Sequence, residues 1–476
     1  MIKASSDPFE ERLARILSQH FDGFRRLKSC NRLSGGASQE TYRLVMETEA
    51  GVRVLAMRRA PEGVGESDVG PGLAVEALLM SEARKVGVPG PEVYYVLQAA
   101  DGLGAGFIME WIDGETLGAK IARADEFTEI RPKLAFQCGQ ILARIHSIDV
   151  ETIGLNGKLD SLTPEAFIHQ TWDNYKEFVT PQPMIDFTAR WLLENIPDTY
   201  SMSLVHNDYR NGNLIVSPTE GIVAVLDWEV AHIGDPMRDL GWICTNSWRF
   251  GRAEFPVGGF GEREDLFAGY EVESGKKVGP EHVRFWEVFG SFWWAVGCLR
   301  MGERYRQRPS VGVEYPAIGR RTSECQIDCV NLLIPGAVKA PSSEPNSFSS
   351  NMPGSSELLQ SVRDFLRGEV TDRTEGRTRF LARVGSNSLD IVLRELELGP
   401  SHMAEQIRGL RNLFGSQEDF VKLQWRLVEG LRDGSMPLDA PGLEKYLRQS
   451  VFTQVAIDQP TYSGFLKAQG TANAQG

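Results

Sequence analysis

Apolar residues along this chain recur with a period that changes from block to block. Residues 9–21 place Leu13, Ile16, Leu17 and Phe21 three or four apart, the spacing of an amphipathic helix. Residues 52–57 and the apolar run 106–112 predict strands, and 89–96 begins another. Between them, 73–86 predicts a helix that stops at Gly87-Val88-Pro89. A long helix is expected over 127–146, with Leu134, Cys138, Ile141, Leu142 and Ile145 as its stripe, and more helix over 163–195. Three short apolar runs follow, at 204–205, 214–216 and 222–226, each of strand length. A helix over 283–304 carries Phe285, Phe289, Phe292, Val296 and Leu299 at core spacing.

After residue 335 the pattern changes. Residues 336–356 are rich in Ser, Pro, Ala and Asn and read as a linker. Helical periodicity resumes over 357–456, and the tail from 457 is expected to be loose.

The chemistry lies between the short strands at 204–226. His206-Asn207-Asp208 follows the first run, Asn213 comes five residues after Asp208, and the third run delivers Asp227. Phosphoryl transfer needs a carboxylate to accept a hydroxyl proton, and an amide and a second carboxylate to hold Mg²⁺. Asp208, Asn213 and Asp227 supply those groups in that order. Each could alternatively cap a turn, but that explains one residue at a time and not the set. Farther upstream, Gly35-Gly36-Ala37-Ser38 could lay backbone N–H groups and a hydroxyl over phosphates, although a plain hairpin turn is the commoner meaning.

The combination His-x-Asp-x4-Asn, then Asp, then Gly-Asp-Pro-x3-Asp at 234–239 resembles the aminoglycoside phosphotransferase-like kinases. The resemblance covers about residues 10–330. It implies an α+β, bilobal protein-kinase-like fold, with a small β-rich N-lobe at 1–112 and a helical C-lobe at 113–335. A small all-α accessory domain would then occupy 357–456. It also implies ATP and Mg²⁺ as cofactors. Asp208 becomes the base, with Asn213 and Asp227 on the metal. Gly35, Gly36, Ser38 and Arg58 fall on the nucleotide phosphates, and Glu76 becomes the partner of Arg58. Main-chain groups near Glu110 and Ile112 would meet the adenine edge. Arg210 is a candidate for neutralising charge on the transferred group, and a surface ion pair is its alternative. Arg59 is expected to be a solvated charge on an edge strand. Asp239 is expected to bond back to the loop at 206–208, and His146 to be structural.

Details such as Leu-x-Met-Arg-Arg-x-Pro, His-x-Asp-Tyr-Arg and Asp-Leu-Gly-Trp are most similar to the hydroxyacyl-CoA kinase branch. The acceptor implied is a small-molecule alcohol carried on a CoA thioester. Aminoglycoside, choline or homoserine kinases are the alternatives, and a silent nucleotide-binding scaffold is the rival from another class. The Arg residues at 300, 304, 306, 308, 320 and 321 read as a basic cluster that suits an anionic acceptor. A homodimer or a partner enzyme through the C-terminal domain is a further expectation.

Bulk properties narrow this little. A net charge of −13 argues against a nucleic-acid groove. No apolar run reaches membrane-spanning length. The six cysteines have no paired metal spacing, so a reducing, cytoplasmic setting is expected.

Overall fold

The computed structural model describes residues 9–33, 39–61, 71–341 and 353–473. The predicted phosphate turn at Gly35, Gly36 and Ser38 lies outside the described residues. The chain divides into two units: one of 1–163, 200–244 and 255–280, the other of 164–199, 245–254 and 281–476.

The first unit opens with the expected helix, Phe9–His20. It packs on a five-stranded antiparallel sheet of β1 (Phe24–Arg32), β2 (Glu40–Thr48), β3 (Gly51–Arg59), β4 (Val93–Val96) and β5 (Gly106–Glu110), in the order β1-β2-β3-β5-β4. Leu13, Ile16 and Leu17 meet Leu44, Leu55, Met57 and Ile108 in one apolar cluster. That burial repays the entropy of ordering a sheet with so few strands. Because β3 is central, Arg59 is not on an edge. It is 5% exposed, donates from Nε to Glu40 at 2.9 Å, and lies over the Phe9 ring. The expectation of a solvated charge is corrected: strand order, which local pattern does not encode, buries it.

The rest of this unit is helical, with two short sheets. β6 (Ser203–Val205) pairs with β9 (His232–Gly234), and β7 (Leu214–Ser217) with β8 (Gly221–Val225). The helices Arg131–His146 and Arg263–Ser274 cross where neither has a side chain. A Cβ on Gly139 would come within 2.1 Å of the Leu266 carbonyl oxygen, and one on Gly269 within 2.1 Å of that of Phe136. The approach brings His146, at the end of the first helix, to the Tyr270 hydroxyl at 3.1 Å.

The second unit holds the helix Pro280–Gln307, longer than predicted and with Trp286 fully buried in an aromatic core. Three arginines of the supposed basic cluster are paired. Arg320 contacts Asp458 at 2.6 Å and Glu395 at 3.3 Å, Arg321 contacts Glu324 at 3.1 Å, and Arg306 contacts Glu303 at 3.6 Å. The C-terminal helices do not keep a core to themselves. Leu410, Leu427, Leu443, Phe452 and Phe465 share one cluster with Met184, Phe187, Ile327 and Val330. The tail expected to be loose contains the helix Ser463–Asn473. Tyr462 Oη donates to Asp328 at 2.6 Å and Asn331 Nδ2 to the Gly464 carbonyl at 2.9 Å, fixing that helix in place. No helix among the described residues is long and apolar enough to cross a membrane.

A shared core predicts that the C-terminal helices cannot be removed cleanly. Phe452→Ala should cost about 3–5 kcal/mol, read as a lower urea midpoint at unchanged slope. A chain ending at residue 341 should aggregate, since Met184, Phe187 and Ile327 would face water. A truncated chain that melts as the full chain does would show the cores to be separate.

Candidate active site

The loop between β6 and β7 is held from behind. Asp239 is 0% exposed and accepts hydrogen bonds from the main-chain N–H of His206 (2.8 Å) and of Asn207 (2.7 Å), and from His146 Nε2 (3.0 Å). Burial alone would raise its carboxyl, but the hydrogen bond and charge of His146, followed by the contribution of His206, hold it below the ordinary carboxylate value. Two non-glycine residues here adopt the left-handed region: Asn207 at φ 66° and Asp227 at φ 68°. Asn and Asp are the residue types that tolerate this backbone best, and strain of this kind gathers at functional loops. Asn207 is held further by the buried Arg238, whose Nε donates to its Oδ1 at 3.0 Å.

His206 is fully buried and kept neutral: burial lowers its pKa against the pull of Asp239, Asp208 and Asp227. Its Nε2–H donates to the Leu226 carbonyl at 3.1 Å, which leaves Nδ1 to accept the Asp208 N–H at 3.3 Å. The ring thus ties the 208 end of the loop to the residue before Asp227.

The structure brings the expected triplet together. Asn213 Nδ2 donates to Asp208 Oδ2 at 2.6 Å and to the Asp208 carbonyl at 2.9 Å. The Leu226 N–H donates to the Asn213 carbonyl at 2.8 Å, placing Asp227 one residue beyond. Asp208 Oδ1 receives two donors, Arg210 Nε at 2.9 Å and Trp242 Nε1 at 2.8 Å. Arg210 therefore lies on Asp208 itself. Trp242, which no sequence expectation placed beside Asp208, is a direct neighbour of this carboxylate. Its signal was the Asp-Leu-Gly-Trp spacing: Asp239 and Trp242 are three apart on the helix Met237–Cys244 and share a face.

Arg58 reaches the same place from β3. Its guanidinium contacts Asp227 Oδ1 at 2.5 Å, Glu229 at 3.2 Å and Glu76 at 3.4 Å, and bonds Gln39 Oε1. Burial opposes the charged form, yet Glu76, Asp227 and Glu229 outweigh it and hold the pKa above the ordinary arginine value. Sequence reasoning found Glu76 but missed Glu229 and Gln39, which neighbour expected residues without matching any motif position. Glu82, farther along the same helix, pairs with Lys85 at 2.7 Å. Glu76 is 1% exposed, and burial pushes its carboxyl up to about 7, with Arg58 pulling the other way. At the end of β5, the Glu110 N–H is taken by the Glu92 carbonyl at 2.8 Å. Ile112 is half-buried, and no main-chain hydrogen bond to it occurs among the described residues.

Among the described residues no cluster of three or more His, Cys, Asp or Glu side chains could hold a metal ion alone. Asn213 and Asp227 offer a different donor set, an amide oxygen and a carboxylate. Asn213 spends its Nδ2 on Asp208 and no described residue bonds its Oδ1. Oxygen donors of this kind, few in number and completed by phosphate and water, are what Mg²⁺ takes.

The raised carboxyl of Glu76 sets a pH dependence. The folded chain holds that proton up to about pH 7, while the unfolded chain releases it near 4.5. The folded state therefore binds more protons between those values, and stability should fall as pH rises through that window, by up to about 3 kcal/mol. Glu76→Gln should flatten this slope in denaturant titrations between pH 5 and 7.5. An unchanged slope would assign the dependence elsewhere.

Comparison with known proteins gives this arrangement a family. A model described as the phosphotransferase enzyme family matches residues 29–275, just over half of the chain. A second, described as a domain of unknown function (DUF6285), matches 372–462. Acyl-CoA dehydrogenase family member 10 of Mus musculus is 29% identical over 244 residues, covering 50% of this chain and 22% of that protein. Acyl-CoA dehydrogenase family member 11 of Gallus gallus is 29% identical over 227 residues, covering 45% and 27%. The match thus spans only about a quarter of these curated relatives. Among solved structures, a candidate aminoglycoside phosphotransferase of Ralstonia eutropha jmp134 superposes with a TM-score of 0.54 at 23% identity, covering 68% of this chain and 97% of that one. That likeness establishes the aminoglycoside kinase-like α+β fold, and the match over half the chain establishes that this protein belongs to the phosphotransferase enzyme family.

Proposed function

We propose that this enzyme transfers the γ-phosphoryl group of ATP to the hydroxyl of a hydroxyacyl-CoA thioester. The observation that carries the transfer step is the hydrogen bonding of Asp208. Both lone-pair positions of Oδ1 are taken, by Arg210 and Trp242, while Oδ2 accepts only from Asn213 among the described residues. Oδ2 therefore keeps one open position, and an acceptor hydroxyl would dock there and give up its proton as the phosphoryl group arrives. The three fixed donors aim that oxygen before any substrate binds, which favours in-line geometry. Arg210 moderates the charge that gathers around the reacting groups.

Asn213 Oδ1 and Asp227 would hold Mg²⁺, which neutralises the phosphates when bound. Arg58, steadied by Glu76, would meet the α- and β-phosphates together with Gly35, Gly36 and Ser38. Because the Glu110 N–H is already used, the adenine edge would fall to the main chain at Ile112.

Two observations support the acceptor class. The relatives named above are acyl-CoA dehydrogenase family members, matched over about half of this chain. The sequence details at Arg58-Arg59, His206–Arg210 and Asp239–Trp242 are of the hydroxyacyl-CoA kinase type. The arginines at 306, 320 and 321 add little, since carboxylates already pair them.

Asp208→Asn should lower kcat by at least about a thousandfold while ATP binding, followed by calorimetry, stays within about twofold. A 4-hydroxyacyl-CoA, a kanamycin-type sugar, choline and homoserine should each be offered with ATP and Mg²⁺. Turnover is expected with the thioester, and turnover confined to the sugar would replace this reading.

A further inference from the structure

We propose that the second unit carries a coenzyme A site of its own, built where the C-terminal helices meet residues 178–184 and 299–326 and distinct from the phosphoryl-transfer residues. The choice of coenzyme A among amide-bearing anions rests on the acceptor class proposed above; the site itself rests on two adjoining cavities. The first has a volume of about 590 Å³ and is lined by five glutamines: Gln182, Gln326, Gln406, Gln424 and Gln454. The second has a volume of about 660 Å³, with Val338, Leu413 and Pro441 among its apolar walls and Lys339, Arg408 and Lys445 among its charges. Each falls in the range of roughly 300–1,000 Å³ typical of small-ligand sites. They share His402, Gln406, Tyr446 and Ser450 as a common wall.

The two linings ask for different chemistry in one ligand. A glutamine amide offers both donors and acceptors, so a ring of them complements other amides and repels neither charge. Gln326 donates to Gln182 at 2.9 Å and Gln406 lies 2.7 Å from His402, which orients these side chains while leaving further positions open. Gln424 makes no hydrogen bond among the described residues, so its amide is wholly available. The three carboxylates Glu303, Glu395 and Asp458 are all paired with Arg306 or Arg320, so this cavity has no strong net charge. It suits an uncharged chain that carries amides.

The second cavity suits an anion. Arg408 and Lys445 are exposed and form no salt bridge among the described residues, and only Lys339 meets a carboxylate, Glu405 at 3.6 Å. The main chain at Lys339 is fixed by Gln449, which accepts from its N–H and donates to its carbonyl, both at 2.8 Å. The apolar wall beneath these cations takes a ring or a methyl-bearing segment. Coenzyme A joins these demands: a pantetheine arm with two amides, then a diphosphate and a phosphorylated nucleoside.

Calorimetry on the full chain tests this, with a non-hydrolysable ATP analogue present to fill the nucleotide site. Coenzyme A should bind, and pantetheine should bind more weakly. The double variant Arg408→Glu/Lys445→Glu should weaken coenzyme A by roughly tenfold without changing pantetheine. Gln424→Leu should weaken pantetheine and coenzyme A alike, about fivefold. Coenzyme A affinity indifferent to all three substitutions would overturn the site, even if thioesters prove to be substrates. Binding lost as expected, in an enzyme that phosphorylates no thioester, would keep the site and refute the acceptor assignment.

Discussion

The buried carboxylate of Asp239 is the constraint on which the site depends. A charge with no exposure is costly to bury, and that cost is met only because every partner around it is fixed. Two of its donors are the main-chain N–H groups of His206 and Asn207, and the third is His146 at a helix end. The carboxylate thus converts the packing of Arg131–His146 against Arg263–Ser274 into a fixed path for the loop bearing Asp208. One turn farther along the same short helix, Trp242 bonds the Asp208 side chain. A single helix, Met237–Cys244, sets both the backbone and the carboxylate orientation of that loop.

This division explains what was legible in the sequence. Asp208, Asn213 and Asp227 could be read because the loop closes on itself within about twenty residues, so their spacing already encodes their meeting. Glu76 and Arg58 could be read only through the resemblance, which pairs the charged end of a strand with an acid on the next helix. Trp242 was missed as a neighbour of Asp208 because its role depends on a helix packing back on the loop, a contact that local pattern does not state. Arg59 was misplaced for the same reason: only the strand order puts β3 between β2 and β5. The aromatic and acidic partners of long-range pairs carry no signature until their elements meet.

The C-terminal helices show the same limit at larger scale. Their amphipathic periodicity announced that each would bury a face, and they do. Periodicity does not name what that face covers. Here it covers Ile327, Val330 and Met184 as well as its own neighbours, so a serine- and proline-rich stretch that looked like a domain boundary does not divide the core. Composition marks where a chain can be loose; it does not mark where a core ends.

Arg58 shows how the site can be closed electrostatically without ligand. Three carboxylates surround one guanidinium, and they hold it more firmly charged than usual. Asp227 is one of the three, so the cation nearest to it in this state is the arginine. A divalent ion held by Asp227, as proposed above, would bring more charge and would compete with Arg58 for the same oxygen. Released from Asp227, the guanidinium would still have Glu76 behind it, whose carboxyl the charge of Asp227 now helps to raise. Under the proposed reading, nucleotide phosphate would supply the negative charge that Arg58 loses. The charge states of Glu76 and Arg58 and the charge at Asp227 are therefore coupled, and a ligand that neutralised Asp227 would move them together.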